Sequence, residues 1–470
     1  MSAGLPRPSR RAVTLTYVAL LVATALAIWL VYRLGGDLAA PPRRHDAPVF
    51  GGAAGNESTL DTFARVLVAL VVIIAAARAL GALFGRLRQP AVIGEVVAGL
   101  LLGPSALGHL WPAATQAIVP AQVVPVVSAL AQMGVLLYMF LVGLELNPAM
   151  LRGRAPVTVL VSHASIVLPF VLGLALALYT YPRFSSSDVP FSVFALFAGV
   201  ALSVTAFPVL ARILSDRNLT RTPLGVIALA CAAVDDVTAW CLLALVVSVA
   251  QHAISGTAIV LALAAAYVAV MLVVVRPLAQ HWVARIERTG ATRTAMTIIL
   301  AGVMASALAT SAIGIHAVFG AFLFGAILPH DSRIARQVTE RLEDITVVLL
   351  LPAFFAFTGL RTQIGLLSTP EAWFAAVLVF GAACAGKLGG AYFSARVAGL
   401  SRPDSAVLGA LMNTRGLMEL IVLNVGLDLH VISPALFSMY VMMAVATTLL
   451  TTPLVALFSP RAVLLGSAPE

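Results

Sequence analysis

The sequence predicts an all-α polytopic membrane protein, and three observations predict it. The chain of 470 residues is 61% hydrophobic and only 10% charged, against about 25% charged for an average soluble domain. Apolar stretches of about 20 residues recur along its whole length, each long enough to cross a ~30 Å hydrocarbon layer. Basic residues collect in alternate gaps between those stretches, the pattern that sets orientation in a bilayer. No soluble core absorbs that much apolar surface, and the period-two alternation of a membrane barrel is absent, so helices are the element that remains.

Taken in order, fourteen spans are predicted, over 13–33, 59–84, 91–107, 121–144, 156–178, 191–213, 224–250, 257–275, 292–312, 315–329, 346–361, 372–397, 405–427 and 434–458. Arg86 and Arg88, Arg152 and Arg154, and Arg217 and Arg221 fill every second gap; the series continues with Arg276, Arg285, Arg288 and Arg293, then Arg333, Arg336 and Arg341, then Arg402. The gaps at 108–120, 179–190, 251–256, 313–314, 362–371 and 428–433 carry almost no basic residues. Both termini are therefore expected in the cytoplasm, with Arg7, Arg10 and Arg11 holding the first. A basic start, an apolar run and the small residues of GGDLAAPP also fit a cleaved signal peptide, and both readings of the first span stand.

The net charge of +9 does not call for a nucleic-acid partner, because one lysine and 28 arginines make up the 29 basic residues and most lie in topology-setting gaps. Cys231, Cys241 and Cys384 all fall inside apolar runs without metal-ligand spacing and read as small core residues. The eight histidines show no HxxxH or HExxH pattern. Gly381 to Lys387 satisfies GxxxxGK, but Leu388 stands where a phosphate loop needs Ser or Thr for magnesium. No nucleotide, cofactor, resident metal or enzymatic activity is predicted.

A faint internal repeat follows. LVGLELNPAML (141–151) ends the fourth span and AFTGLRTQIGLL (356–367) ends the eleventh, at opposite membrane faces. The chain then divides into an N-terminal helix (or signal peptide) and external linker (1–58), a first inverted repeat (59–250), a linker helix and cytoplasmic loop (251–291), a second inverted repeat (292–460) and a short cytoplasmic tail (461–470). Inverted repeats recur in secondary transporters.

Charge inside the membrane carries the functional reading. Asp235 and Asp236 lie in ACAAVDDVTAWC at mid-span, where each ionised Asp costs about 2.5–3.5 kcal/mol. Successive helical positions are about 100° apart, so one carboxylate can line a cavity while its neighbour meets a second helix. Lys387, the one lysine of the chain, sits mid-span in AACAGKLGGAYF and wants a carboxylate partner. In MNTRGLMELIVLNVG, Arg415 and Glu419 are four apart, share a helical face and are expected to neutralise each other as a structural ion pair. Asn413, Thr414 and Gly416 make that stretch helix-weak, and Ser203, Thr205 and Pro208 do the same in ALSVTAFPVLARIL. The two weak points fall in the penultimate span of each half. Glu95, in VIGEVVAGLLLGP near a helix end, suits an accessory role or a local one.

Six stretches together resemble the monovalent cation:proton antiporter superfamily: RQPAVIGEVVAGLLLGPSALG, LSVTAFPVLARIL, AAVDDVTAW, GAFLFGAILP, FFAFTGLRT and LMNTRGLMELIVLNVGL. The branch of potassium-efflux proteins and plant cation/H+ exchangers is the most similar, over about residues 60–460. The resemblance implies a thirteen-helix core, dimeric in most members, in which one bundle carries the ion past a dimerisation scaffold. It implies that the paired site residues are Asp235 and Asp236, with the second as ion carrier, that Lys387 is the membrane-embedded lysine, and that the unwound crossing helices lie at Thr205 and Asn413. Plant exchangers carry Asn or Gln before the carrier, where this chain has Asp235 as electrogenic sodium-type members do. Sodium-type members often place an acid beside the crossing-helix threonine, where this chain has Ala206. With about ten residues after the last span, no cytosolic nucleotide-binding domain is expected.

The expected function is secondary antiport of Na+ or K+ against H+ in the plasma membrane by a homodimer, with cation and proton competing for Asp236. A gated cation channel also explains buried acids, although it leaves the buried lysine without a role.

Overall fold

The structure, a computed structural model, describes residues 10–41, 59–145, 155–217, 219–220, 222–251, 254–289 and 292–458. The second half of the 141–151 motif, Arg152, Arg154, Arg221, the linker 42–58 and the tail 461–470 lie outside the described residues.

The described chain is helical because a backbone crossing hydrocarbon must satisfy every N–H and C=O within its own segment. Helix α1 (Arg10–Gly35) is followed by α2 (Thr59–Arg86), α3 (Ala91–Leu102), α4 (Val124–Glu145) and α5 (Ala155–Phe184). Next come α6 (Phe191–Ser203), α7 (Phe207–Asp216), α8 (Pro223–Gln251) and α9 (Ile254–Val270). Through a wider turn at Met271–Val275, α9 runs on into α10 (Arg276–Thr289). After α11 (Thr292–Ile313) and α12 (Ala317–Ile327), α13 (Arg333–Ile345) continues through Thr346–Leu350 into α14 (Leu351–Arg361). The last four are α15 (Pro370–Val397), α16 (Arg402–Met412), α17 (Leu417–Asp428) and α18 (Pro434–Phe458).

Among the described residues twelve helices are long and apolar enough to cross a membrane, and α16 with α17, bent by 42°, makes a thirteenth. The predicted span at 315–329 is the 11-residue α12, too short to cross about 30 Å alone. The expected loop after 275 is helical α10, and the span expected from 346 begins at Arg333. Both extensions leave the apolar band but keep their backbone bonds, and they pack together through Val283 and Ile286 against Ile334, Ala335 and Val338. Arginine, a good helix former, continues a helix as readily as it ends one.

Close packing sorts the helices into two groups. Helices α5–α8 and α15–α18 pack chiefly with one another, while α2–α4 and α9–α14 form the second group. Helix α1 lies on the first group, along α5 and touching α6 and α15. Tyr17 meets His163 edge-on at 5.5 Å, and Gly35 abuts the Phe191 ring so closely that any side chain there would overlap it.

Two spans are interrupted where helix-weak residues were predicted. Helix α6 ends at Ser203, Val204 is extended at φ −66° and ψ 138°, and the chain restarts at Phe207 with Pro208 in the first turn, a position that needs no proline N–H. Helix α16 ends at Met412, and α17 begins after Gly416. The breaks cross: the Ala206 N–H donates to the Thr414 carbonyl at 3.1 Å.

Candidate ion-binding site

Asp235 and Asp236 sit midway along α8, at 0% and 1% exposure. Their environments differ completely. Asp235 Oδ1 accepts from Ser162 Oγ at 2.5 Å, and its Oδ2 accepts from Ser165 Oγ at 3.0 Å and Thr205 Oγ1 at 2.7 Å. Lys387 Nζ lies 3.2 Å from the same Oδ2 and donates to Thr205 Oγ1 at 2.5 Å. No side chain among the described residues hydrogen-bonds to either oxygen of Asp236. The start of α7 is close by, and its Phe207 backbone N–H is a hydrogen-bond donor toward Asp236. An N-terminal amide there offers partial positive charge to an anion.

Local packing explains this arrangement. Lys387 reaches Asp235 because α15 presses against α5 through small residues. A methyl at Gly386 would lie 2.6 Å from Pro169 Cα, and one at Gly390 would overlap the Ala164 carbonyl. The same approach delivers Ser162 and Ser165, three apart on α5 and therefore on one face. Those two serines are partners of Asp235 that the sequence reading missed. Their signal was legible: Thr158, Ser162 and Ser165 form a polar stripe at helical spacing in a run that is otherwise apolar but for His163.

A second buried cluster lies beyond the crossing. Arg415 Nη1 donates to Glu419 Oε2 at 2.6 Å and to the Ala201 carbonyl at 3.1 Å, while Nη2 donates to the Leu202 carbonyl at 2.5 Å. The guanidinium thus sits at the carbonyl end of α6, where a helix dipole favours positive charge. Thr448 Oγ1 grips the break itself, donating to the Arg415 carbonyl at 2.7 Å and accepting from its N–H at 2.9 Å.

Thr205 alone among the predicted lining residues touches an aspartate. The Ser203 hydroxyl donates to the Gly199 and Ile166 carbonyls, and Thr414 Oγ1 donates to the Leu411 carbonyl. Asn413 Nδ2 lies 3.9 Å from Cys384 Sγ, and its Oδ1 has no partner among the described residues. Glu95 is buried at 7% exposure on α3, a helix of the second group, and takes no part in the hydrogen bonds of the aspartate pair. The cysteines divide: Cys231 is buried, Cys384 half-buried and Cys241 exposed. Cys241 therefore faces outward on α8 rather than filling a core, because a membrane helix is apolar on its outer face as well as its inner one.

Charged side chains also join the two helix groups. Arg361, ending α14, donates to Asn424 Oδ1 at 3.0 Å and Asp428 Oδ1 at 2.5 Å on α17. Asn424 Nδ2 in turn donates to Thr358 Oγ1 at 2.9 Å.

Comparison with known proteins agrees with this architecture. The sodium/hydrogen exchanger transmembrane family matches residues 66–458. The Na(+)/H(+) antiporter NhaS4 of Synechocystis is 44% identical over 403 residues, spanning 85% of this chain and 98% of that protein. Cation/H(+) antiporter 20 of Arabidopsis thaliana is 41% identical over 85% of this chain, and K(+)/H(+) antiporter 1 of Saccharomyces cerevisiae is 33% identical over 80%. The chain spans about half the length of those two, 49% and 44%. The fold is similar to that of the sodium proton antiporter MjNhaP1 from Methanocaldococcus jannaschii, with a TM-score of 0.62 over 86% of this chain at 14% identity. Helix α1 falls outside the family match. From residue 66 onward, the chain belongs to the family of sodium/hydrogen exchanger transmembrane proteins.

Proposed function

We propose that this protein exchanges a monovalent cation, Na+ or K+, for a proton by alternating access, and that the two ions compete for Asp236. The observation that carries the reading is the contrast within the pair: Asp235 is held by three hydroxyls and an ammonium, whereas Asp236 is buried with no side-chain partner among the described residues and only the Phe207 backbone N–H beside it. A buried carboxylate without a side-chain partner costs several kcal/mol, so Asp236 favours being protonated or cation-bound, and not both at once. That exclusivity is the chemical requirement of antiport. Asp235 acts as the fixed counter-charge of Lys387, and Thr205 bridges the two. The crossing breaks leave backbone groups near the site without a continuous helix, which suits a group of helices that moves as a unit past the other.

The channel reading is weaker because the Lys387 ammonium, buried at the same centre, opposes a permeating cation. The arginine-rich face supports cytoplasmic termini in a plasma membrane, and the homodimer belongs to the same reading. Asp236→Asn in proteoliposomes tests it: cation-driven proton release is expected to vanish while the protein stays folded and inserted, and persistence of normal exchange would overturn the assignment. The same assay across Na+, K+, Li+ and Rb+ identifies the ion.

A further inference from the structure

Helix α1 precedes the family match, which begins at residue 66, yet it is fastened to the helix group that carries the aspartates. Towards its start, the Tyr17 ring meets His163 of α5 edge-on, with centroids 5.5 Å apart. At its far end Gly35 abuts the Phe191 ring, and the Tyr32 hydroxyl donates to the Ser192 carbonyl at 3.4 Å. Just beyond, the Pro41 carbonyl accepts from the Ser187 N–H at 3.1 Å, between α5 and α6. Phe191 in turn meets Tyr181 of α5 edge-on at 5.3 Å. From Tyr17 to Gly35 and from His163 to Tyr181 the chain advances by the same 18 residues, about 27 Å of helix. Helices α1 and α5 therefore run parallel and in register. The opposite face of α1, at Leu15, Val18, Val22, Leu26 and Trp29, is exposed and suits lipid.

The stretch of α5 that α1 covers is the one that holds Asp235. His163 stands between Ser162 and Ser165, whose hydroxyls donate to that carboxylate. A helix turns about 100° per residue, so the imidazole leaves the serines' face and meets α1 instead. Its Nδ1–H donates to the Val159 carbonyl at 2.9 Å on its own helix, and the Tyr17 ring covers it where hydrocarbon would otherwise lie. A polar ring turned toward lipid is costly. Without α1, α5 relieves that cost by turning or tilting. Either movement carries Ser162 and Ser165 off Asp235, because the three side chains share one stiff helix.

We propose that Tyr17, acting through His163, is a positioning residue for the serine hydroxyls on Asp235, and that α1 travels with the ion-carrying helix group. The travel rests on the exchange reading; the docking of α1 on α5 does not. Spin labels on the full-length protein separate the two, in a background of Cys231→Ala, Cys241→Ala and Cys384→Ala. Labels are placed pairwise at Leu26 of α1, Ala175 of α5 and Leu308 of α11, all exposed positions. Distances are read at low pH and again in high Na+ or K+. Leu26–Ala175 should keep one distance throughout, while Leu26–Leu308 and Ala175–Leu308 should shift together. A shift in Ala175–Leu308 without one in Leu26–Leu308 would overturn the proposal and leave exchange standing. Two fixed distances to Leu308 would overturn alternating access, and the travel of α1 with it. In proteoliposomes, Tyr17→Ala should change the apparent cation KM about tenfold, the scale of one hydrogen bond to a charged group, at an unchanged maximal rate per folded protein. Tyr17→Phe, which keeps the ring, should restore the original KM. A fall in maximal rate at unaltered KM would make Tyr17 a packing residue and overturn its positioning role. If Tyr17→Ala does not fold, Tyr17→Leu, which fills the volume without the aromatic edge, is read against the same two outcomes.

Discussion

Lys387 Nζ lies 3.2 Å from Asp235 Oδ2, both side chains fully buried, while the adjoining Asp236 has no side-chain partner among the described residues. Two identical, consecutive side chains are thus chemically distinct, and the distinction comes from what α5, α7 and α15 present to each face of α8. The contact is one-sided: Lys387 Nζ meets Asp235 and not Asp236.

Removing one member of that contact should therefore cost far more than removing both. Lys387→Ala strands a buried carboxylate and is expected to lose about 3–5 kcal/mol, with Asp235→Asn in the same chain restoring much of it. Thermal denaturation of the single and double variants checks this. Exchange in the double variant should persist with altered stoichiometry, since Asp236 is untouched; an uncoupled cation current in Lys387→Ala without stability rescue would favour the channel.

The hydroxyls of α5 are the second test. Ser162 and Ser165 each donate to Asp235, and a hydrogen bond to a charged group contributes about 1.5–3 kcal/mol. Ser162→Ala and Ser165→Ala should each lower the melting temperature, while Ser162→Thr, which keeps the hydroxyl, should lose less. Asp235→Asn should blunt the effect of either alanine. Equal losses with and without the Asp235 charge would show that the serines matter only for packing.

Arg361 offers the third. It ties α14 to Asn424 and Asp428 of α17, and the Gln363 N–H donates to Ser438 Oγ on α18 at 2.8 Å. These bonds cross between the two helix groups and must break if the groups slide. Asp428 is 56% exposed, so the Arg361–Asp428 contact should contribute no more than about 1 kcal/mol to stability. Its effect should instead be on access. In Arg361→Ala, a cysteine placed at Ser438 should react several-fold faster with a membrane-impermeant thiol reagent; unchanged labelling would mean the tie does not hold this face closed.

Much of the molecule is legible in its sequence. Hydrophobic length and arginine placement are local properties, and they located every expected crossing but 315–329, which is the short α12, because a helix in hydrocarbon is obliged to satisfy its own backbone. The breaks at Val204–Ala206 and Asn413–Gly416 were readable for the same reason: Pro208, Asn413 and Gly416 act on their own turn of helix. The meeting of Arg415 with Glu419 is legible too, although not as the shared helical face that a spacing of four implies: Arg415 lies in the break before α17, not on its helix. Extents were less legible: α10 and α13 continue past the apolar band because helix propensity does not stop where hydropathy does.

Only the tertiary structure decided which aspartate is paired. Sequence places Asp235 and Asp236 about 100° apart on α8 but says nothing of which direction faces α5 and α15. That is set by Gly386 and Gly390, whose missing side chains let α15 close on Pro169 and Ala164 and bring Lys387, Ser162 and Ser165 to one carboxylate. That no side chain among the described residues reaches Asp236 is likewise decided in three dimensions, because it depends on where every neighbouring helix lies.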